Sequence, residues 1–92
     1  MPAKTKIATK RVLIVDDHPM MRQGLAQLID NEPDLKVCAE AETAGQAINL
    51  VVSQNWDLLL LDVSLPDKNG LEVIKDIRAQ KPELPILVVS MH

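Results

Sequence analysis

The sequence has few of the residues that form covalent or metal cross-links. Cys38 is the only cysteine among its 92 residues, which excludes an internal disulfide, and without a CxxC pair a zinc site made of thiolates is not expected. Cys38 itself is predicted to be a small packed hydrophobe in an outer strand. This use of cysteine fits a reducing compartment, and we expect a cytoplasmic protein.

The sequence also lacks a long apolar run and a basic block. The apolar run at residues 12–15 stops at two aspartates and is far too short for a signal or membrane segment. Ten basic side chains stand against thirteen acidic ones, and only Lys4, Lys6, Lys10 and Arg11 cluster along the chain. This pattern argues against nucleic-acid binding by the chain itself and against a membrane partner.

What the sequence does contain is enough for one small domain. Apolar residues make up 47% of it, which suffices for a single core at this length. Residues 1–9 show no periodicity and are predicted to form a disordered tail. The domain is predicted over residues 10–92.

From residue 10 onward, short apolar runs alternate with segments of helical periodicity. Four strands are predicted, at residues 12–15, 35–41, 58–61 and 85–89. Three helices lie between them: the first covers residues 19–31, the second opens at a capping box of Thr43 and Gln46, and the third, marked by Leu71, Ile74 and Ile77, ends before Pro82. The inner face of the second helix is predicted to consist of Ala44, Ala47, Ile48, Val51 and Val52.

Strands that alternate with helices through short loops imply parallel pairing, right-handed crossovers and helices on both faces of the sheet. The predicted fold class is therefore α/β, with a doubly wound parallel sheet. In such folds ligands bind beyond the carboxyl ends of the strands. The residues at those ends are Asp16 and Asp17 after the first strand, Asp62 after the third, and Ser90 after the fourth.

Three carboxylates at neighbouring strand ends repel one another unless a cation or protons intervene. Mg²⁺ is the natural cation, since it prefers oxygen ligands and is commonly held by one or two carboxylates together with phosphate oxygens. An aspartate there can act as a covalent nucleophile and form an acyl phosphate. Taken singly, Asp16 and Asp17 could interact with a helix dipole, Asp62 could form a turn, and Ser90 could be an exposed hydroxyl. The combination of all four favours phosphate chemistry.

Three segments resemble the signature segments of receiver domains of two-component response regulators. They are Val-Leu-Ile-Val-Asp-Asp-His-Pro at 12–19, Leu-Leu-Leu-Asp-Val-Ser-Leu-Pro-Asp-Lys-Asn-Gly at 59–70, and Ile-Leu-Val-Val-Ser at 86–90. They are most similar to the branch that carries a C-terminal helix-turn-helix domain of the LuxR type. The resemblance covers the chain after the tail and implies a flavodoxin-like sheet with the strand order 2-1-3-4.

By this resemblance, Asp62 accepts a phosphoryl group from a phosphohistidine of a sensor histidine kinase and thereby switches a protein-interaction surface. The reaction would depend on Mg²⁺, with Asp17 as a direct ligand, Asp16 acting mainly through water, Asp62 as a further ligand and Ser64 contributing its backbone carbonyl. Ser90 would take the switch position, where a hydroxyl turns toward the phosphoryl oxygen.

The resemblance also assigns a shaping role to Pro66 and Gly70 in the loop beside the acceptor. The implied chemistry is self-catalysed phosphotransfer and dephosphorylation rather than conventional enzymatic turnover.

The resemblance further implies that the chain stops after the fourth strand of the domain. The fifth strand, the last two helices and the family's lysine after the fifth strand would be absent, so residues 10–92 are predicted to form an incomplete receiver domain. The fourth strand would then be an open edge with the β-prone sequence Ile-Leu-Val-Val at 86–89, which favours pairing with another chain. We therefore expect a homodimer formed through this edge or by exchange of elements.

Two other functions stay open on the sequence alone. A haloacid-dehalogenase-type phosphatase also uses an aspartate nucleophile after a strand, but it requires a second acid two residues later, where this chain has Ser64. The stronger alternative is a receiver that is not phosphorylated and acts only as a protein-binding or self-associating module, because the lysine has no counterpart. His18, beside Pro19 at a helix start, is expected to be a solvent-facing loop residue without an assigned role.

Overall fold

The structure, a computed structural model, describes residues 9–89. Its elements are β1 (Lys10–Val15), α1 (Pro19–Asp30), β2 (Leu35–Ala41), α2 (Ala44–Ser53), β3 (Leu58–Asp62), α3 (Gly70–Gln80) and β4 (Ile86–Val89). All seven predicted elements are present. The predicted tail, apart from its last residue, and the predicted switch residue Ser90 lie outside the described residues.

The four strands form one parallel sheet in the order β2-β1-β3-β4, as predicted. The two central strands, β1 and β3, are the most buried. The register between β1 and β2 shifts once, because Val12 pairs with Val37 whereas Leu13 pairs with Ala39. Cys38 is the residue passed over at this irregularity, and it is partly buried.

The two faces of the sheet carry separate cores, because successive side chains of a strand point to opposite faces. On one face, α1 covers a small cluster of Val12, Ile14 and Leu60 with its residues Leu25, Ala26 and Ile29. On the other face, α2 and α3 cover the larger cluster, which includes Leu13, Val15, Leu59 and Leu61. The helices therefore lie on both faces, and the doubly wound prediction is confirmed.

Helix α2 begins at a partly realised capping box. The Thr43 hydroxyl accepts a hydrogen bond from the Gln46 amide at 3.2 Å, as predicted. The Gln46 side chain, however, accepts from the Glu42 amide at 2.8 Å rather than from Thr43. The Gln46 side chain thus binds the amide one residue before the one that the motif predicts.

Two apolar residues used for helix prediction are exposed. Val52 is 49% exposed, although it was predicted on the inner face of α2. It follows Val51 by about 100° around the helix, which moves it to the edge of the buried stripe. Leu71 is 71% exposed, and the buried residues of α3 besides Gly70 are Val73 and Ile77. None of the described helices has the length and apolar character needed to cross a bilayer.

Candidate functional site

The register of the central strands brings two carboxylates together. Val15 of β1 pairs with Leu61 of β3. Asp16 directly follows Val15, and Asp62 directly follows Leu61. The Asp16 amide donates to the Ala41 carbonyl at 3.0 Å, which extends the β1–β2 ladder by one residue. Asp16 is 3% exposed and Asp62 is 6% exposed, and among the described residues no other charged side chain is buried. Two buried carboxylates therefore meet at the carboxyl end of the sheet.

Asp17 brings a third carboxylate to the same place. Its Oδ1 atom is buried and accepts no hydrogen bond from the part of the chain that the structure describes. A buried carboxylate oxygen without a donor is costly. Carboxylate oxygens of Asp16, Asp17 and Asp62 and a ring nitrogen of His18 all lie within 4.8 Å of one another. This oxygen-rich donor set, with one unsatisfied buried oxygen, fits a hard divalent cation such as Mg²⁺.

His18 contacts the three carboxylates, although the sequence analysis assigned it no role. Its side chain is half exposed, as a loop residue would be, yet its Nδ1 atom lies 2.9 Å from Asp16 Oδ1, 3.0 Å from Asp17 Oδ1 and 3.6 Å from Asp62 Oδ2. The hydrogen bond to Asp16, and next the negative charge of Asp17, raise the pKa of His18 above its ordinary value. The His18 ring therefore lies against all three carboxylates.

Arg22 fixes the loop that carries Asp16, and the sequence analysis did not identify it. Its Nη1 donates to the Asp16 carbonyl at 2.8 Å, and its Nε and Nη2 pair with Glu40 and Glu42 at 3.1 and 3.3 Å. A basic residue near the start of a helix opposes the helix dipole. That mismatch between Arg22 and its position in α1 is the sequence signal that could have revealed it.

The loop after Asp62 is held by its own backbone. The Ser64 amide donates to Asp62 Oδ1 at 3.0 Å, which leaves Oδ2 toward His18. The Ser64 and Pro66 side chains are exposed. The metal-binding role of the Ser64 carbonyl and the loop-shaping role of Pro66 stay predictions, as does the switch role of Ser90, which lies outside the described residues.

Gly70 is the first residue of α3 and packs against Val63, the residue after Asp62. A Cβ atom at Gly70 would lie 2.6 Å from Val63 Cβ and 2.8 Å from Val63 Cα. No side chain fits at that separation without movement of the backbone. The close approach gives the predicted loop-shaping role of Gly70 a physical basis.

Asp67 connects the loop after Asp62 to α2, a contact that the sequence analysis missed. Its carboxylate accepts from the Ala44 amide at 2.9 Å and from the Gly45 amide at 3.2 Å. These amides belong to the first turn of α2, where backbone donors lack partners within the helix. The Ala44 amide, and then the Gly45 amide, hold the pKa of Asp67 below its ordinary value.

Comparisons with known proteins agree with this arrangement. The family model described as the response regulator receiver domain matches residues 12–92. The nitrate/nitrite response regulator protein NarL of Escherichia coli (strain K12) is 42% identical over 80 residues, which are 87% of this chain and 37% of NarL. The chain thus spans little more than a third of that relative.

Two solved structures are similar over most of the chain. A two-component response regulator of the LuxR family from Aurantimonas sp. SI85-9A1 has a TM-score of 0.86 at 38% identity, covering 92% of this chain and 61% of that one. The response regulator protein TrrA from Thermotoga maritima, in complex with Mg(2+)-BeF, has a TM-score of 0.84 at 33% identity, covering 91% of this chain and 71% of that one.

The matched region begins at Val12 in β1 and contains the strand-end carboxylates Asp16, Asp17 and Asp62. The predicted flavodoxin-like sheet is confirmed by the strand order and by its similarity to receiver structures. The predicted likeness to the LuxR branch is confirmed by the LuxR-family regulator among those structures. The chain belongs to the response regulator receiver domain family of two-component systems.

Proposed function

We propose that Asp62 accepts a phosphoryl group from a phosphohistidine of a sensor histidine kinase, and that the phosphorylated chain presents an altered protein-interaction surface. The observation that carries the proposal is the meeting of Asp16, Asp17 and Asp62 at adjacent strand ends. Three carboxylates concentrated in one place repel an incoming phosphate unless a cation offsets their charge. The site therefore has the composition expected for metal-assisted phosphoryl transfer.

The chemistry asks little of the protein beyond positioning. A carboxylate oxygen of Asp62 attacks phosphorus, the P–N bond to the histidine donor or the P–O bond to a small acyl phosphate breaks, and an acyl phosphate forms on Asp62. The leaving imidazole or carboxylate keeps the electron pair of the broken bond. The Ser64 amide holds Oδ1, so the orientation of the Asp62 carboxylate is set before the donor arrives.

Mg²⁺ is the proposed cofactor. When bound, it neutralises charge on the phosphoryl oxygens and on the carboxylates. Asp17, with its unsatisfied Oδ1, is the proposed direct ligand, Asp62 is a second, Asp16 acts mainly through water, and the Ser64 carbonyl completes the protein ligands. The likeness to TrrA, whose structure is described as a complex with Mg(2+)-BeF, supports this assignment.

The test is to incubate the chain with acetyl phosphate and Mg²⁺ and to measure its intact mass. We expect the mass to increase by one phosphoryl group, and the increase to disappear in Asp62→Asn and on chelation of the metal. Asp34→Asn is the matched control, because Asp34 is exposed and precedes β2 at the opposite end of the sheet. No phosphorylation of a sample shown to be folded by circular dichroism would contradict the proposal.

A second candidate function is that of a protein-binding or self-associating module. Within the described residues β4 pairs on one side only, with β3, and its residues Leu87 and Val88 are 55% and 46% exposed. An uncharged edge strand of this kind favours pairing with another strand, and we propose a second copy of the chain as that partner. Light scattering over a range of concentrations tests it: a monomer throughout would contradict self-association, and Leu87→Lys should weaken a dimer.

The wider role is proposed from relatives. NarL is named as a response regulator, and DevR/DosR of Mycobacterium tuberculosis, 37% identical over 82 residues, as a DNA-binding transcriptional activator. Because this chain covers 38% of the latter, we propose a part in transcription regulation only through sequence beyond these residues. That this chain binds no nucleic acid itself, and that it is cytoplasmic, stay predictions.

A further inference from the structure

His18 occupies the N-cap position of α1, but its side chain does not cap the helix. The imidazole forms no hydrogen bond to the first-turn amides, whereas the residues favoured at this position, Ser, Thr, Asp and Asn, do so through a side-chain oxygen. Its Nδ1 atom is turned instead toward the carboxylates at the strand ends. Helix capping therefore does not account for a histidine here.

Hydrogen bonding accounts for only part of the placement. A carboxylate is only an acceptor, so Nδ1 uses its one proton on Asp16 Oδ1 at 2.9 Å. The same nitrogen lies 3.0 Å from Asp17 Oδ1, which nevertheless accepts no hydrogen bond from the described residues. His18 Nδ1 thus faces three carboxylates but can donate its proton to only one of them.

The separations are those of neighbouring ligand atoms around a metal ion. With bonds of about 2.0–2.2 Å, two adjacent ligands of an octahedral or tetrahedral ion lie roughly 2.8–3.6 Å apart. The distances from His18 Nδ1 to the three carboxylates, 2.9, 3.0 and 3.6 Å, fall within that range. An ion that replaced the Nδ1 proton would contact the imidazole and the unsatisfied Asp17 oxygen together.

We propose that His18 is a ligand of the site, through Nδ1, and that the site consequently binds a divalent transition-metal ion of the zinc and cobalt class in competition with Mg²⁺. Imidazole nitrogen suits such ions, whereas Mg²⁺ prefers oxygen ligands and gains little from it. The inference rests on the proposed function, because it uses the carboxylates assigned there to Mg²⁺. On binding, Nδ1 gives up its proton and Nε2 carries the remaining N–H.

The first experiment compares Zn²⁺ and Mg²⁺ affinities of the full chain and of His18→Asn by titration calorimetry. Asparagine is a good N-cap, so the variant keeps the helix start. Loss of a partner that merely supports a ligand lowers metal affinity about 10–100-fold, so we expect His18→Asn to bind Zn²⁺ at least about tenfold more weakly and Mg²⁺ as before. Equal Zn²⁺ affinities would overturn the proposal. A gain in Mg²⁺ affinity would also overturn it, because it would make His18 a counter-charge instead of a ligand.

The second experiment observes the ligand directly. The chain contains two histidines, His18 and His92, so long-range ¹H–¹⁵N spectra recorded with Zn²⁺ have only two imidazoles to assign. We expect the His18 Nδ1 resonance to move to the position of a metal-bound nitrogen, to keep that shift in His92→Asn and to lose it in His18→Asn. A ring unaffected by Zn²⁺ would overturn the proposal.

The inference and the proposed function can fail separately. Zn²⁺ ligation by His18 without phosphorylation of Asp62 in the Mg²⁺ assay would support this inference and contradict the proposed function. Phosphorylation of Asp62 with an unperturbed His18 ring would do the reverse.

Discussion

Substitution of Gly70 is the sharpest test of how the loop after Asp62 is packed. A methyl group added there would meet Val63 Cβ at 2.6 Å and Val63 Cα at 2.8 Å, about 0.8 and 0.6 Å short of an ordinary contact at 3.4 Å. Because one of the clashing atoms is backbone, rotation of the Val63 side chain cannot relieve the contact. Gly70→Ala should therefore push the start of α3 away from the residue that follows Asp62.

The magnitude follows from two opposing effects. Overpacking of a tightly packed site destabilises by about 1–3 kcal/mol, whereas alanine is favoured over glycine in a helix by roughly 0.5–1 kcal/mol. The net loss for Gly70→Ala should be about 0–2.5 kcal/mol, with a central value of roughly 1 kcal/mol. Gly24, inside α1, is the matched control, since a Cβ atom there meets nothing within 4 Å. Gly24→Ala should stabilise by roughly 0.5–1 kcal/mol.

The assay is urea unfolding followed through the fluorescence of Trp56, the only tryptophan, with circular dichroism as a second probe. The two variants should move the midpoint in opposite directions, and Gly70→Ala should also slow phosphorylation of Asp62 because it displaces Val63. If Gly70→Ala were as stable as Gly24→Ala, the close packing of α3 on Val63 could not be what demands glycine at this position.

Three further predictions address the other contacts of the site. Thr43→Ala should destabilise by about 1 kcal/mol through loss of the α2 cap, and Thr43→Ser by much less, which urea unfolding measures; equal losses would contradict capping as the cause. Arg22→Leu should lower Mg²⁺ affinity by about tenfold, measured by calorimetry, because it frees the Asp16 carbonyl; unchanged affinity would show that Arg22 does not position Asp16. The pKa of Asp67 is lowered in the fold, so its contribution to stability is present above its ordinary value of 3.8 and is lost as the pH falls below that value and through the folded pKa. The stability difference between wild type and Asp67→Asn should accordingly shrink in acid, and a difference that grows below pH 3.8 would refute the assignment.

The strands could be predicted because their buried parts consist of runs of apolar residues. The run at residues 12–15 predicted β1, yet the strand begins two residues earlier, at Lys10. Lys10 and Arg11 pair with Leu35 and Lys36 of β2 at the amino-terminal end of β1, where Lys10 is exposed and Arg11 is partly buried. Hydropathy detects the buried part of a strand and misses polar residues, such as these two, that extend the strand through backbone pairing.

The carboxylates could be predicted because parallel strands end at a common edge, so Asp16 and Asp62 had to be neighbours once β1 and β3 were adjacent. The other side-chain contacts around the site could not be predicted. The Asp67 carboxylate meets an α2 amide at Ala44, 23 residues away, and His18 meets Asp62 through the direction of one side chain. Contacts of this kind depend on loop conformation and rotamer, which leave no periodic trace in a sequence.

Asp62 has two different surroundings. On one side, called the fixed side, hydrogen bonds and packing hold the loop; on the other, called the open side, a carboxylate oxygen lacks a donor among the described residues. On the fixed side, the Ser64 amide holds Asp62 Oδ1, Gly70 packs on Val63, and Asp67 joins the same loop to α2. On the open side, Asp17 Oδ1 is buried without a hydrogen bond among the described residues. Because the Asp62 carboxylate is already held in position, we expect a bound cation to act mainly by removing the repulsion between the carboxylates. Substitutions on the fixed side should therefore change the rate of phosphorylation at saturating metal, whereas substitutions on the open side should change the metal concentration that the reaction requires.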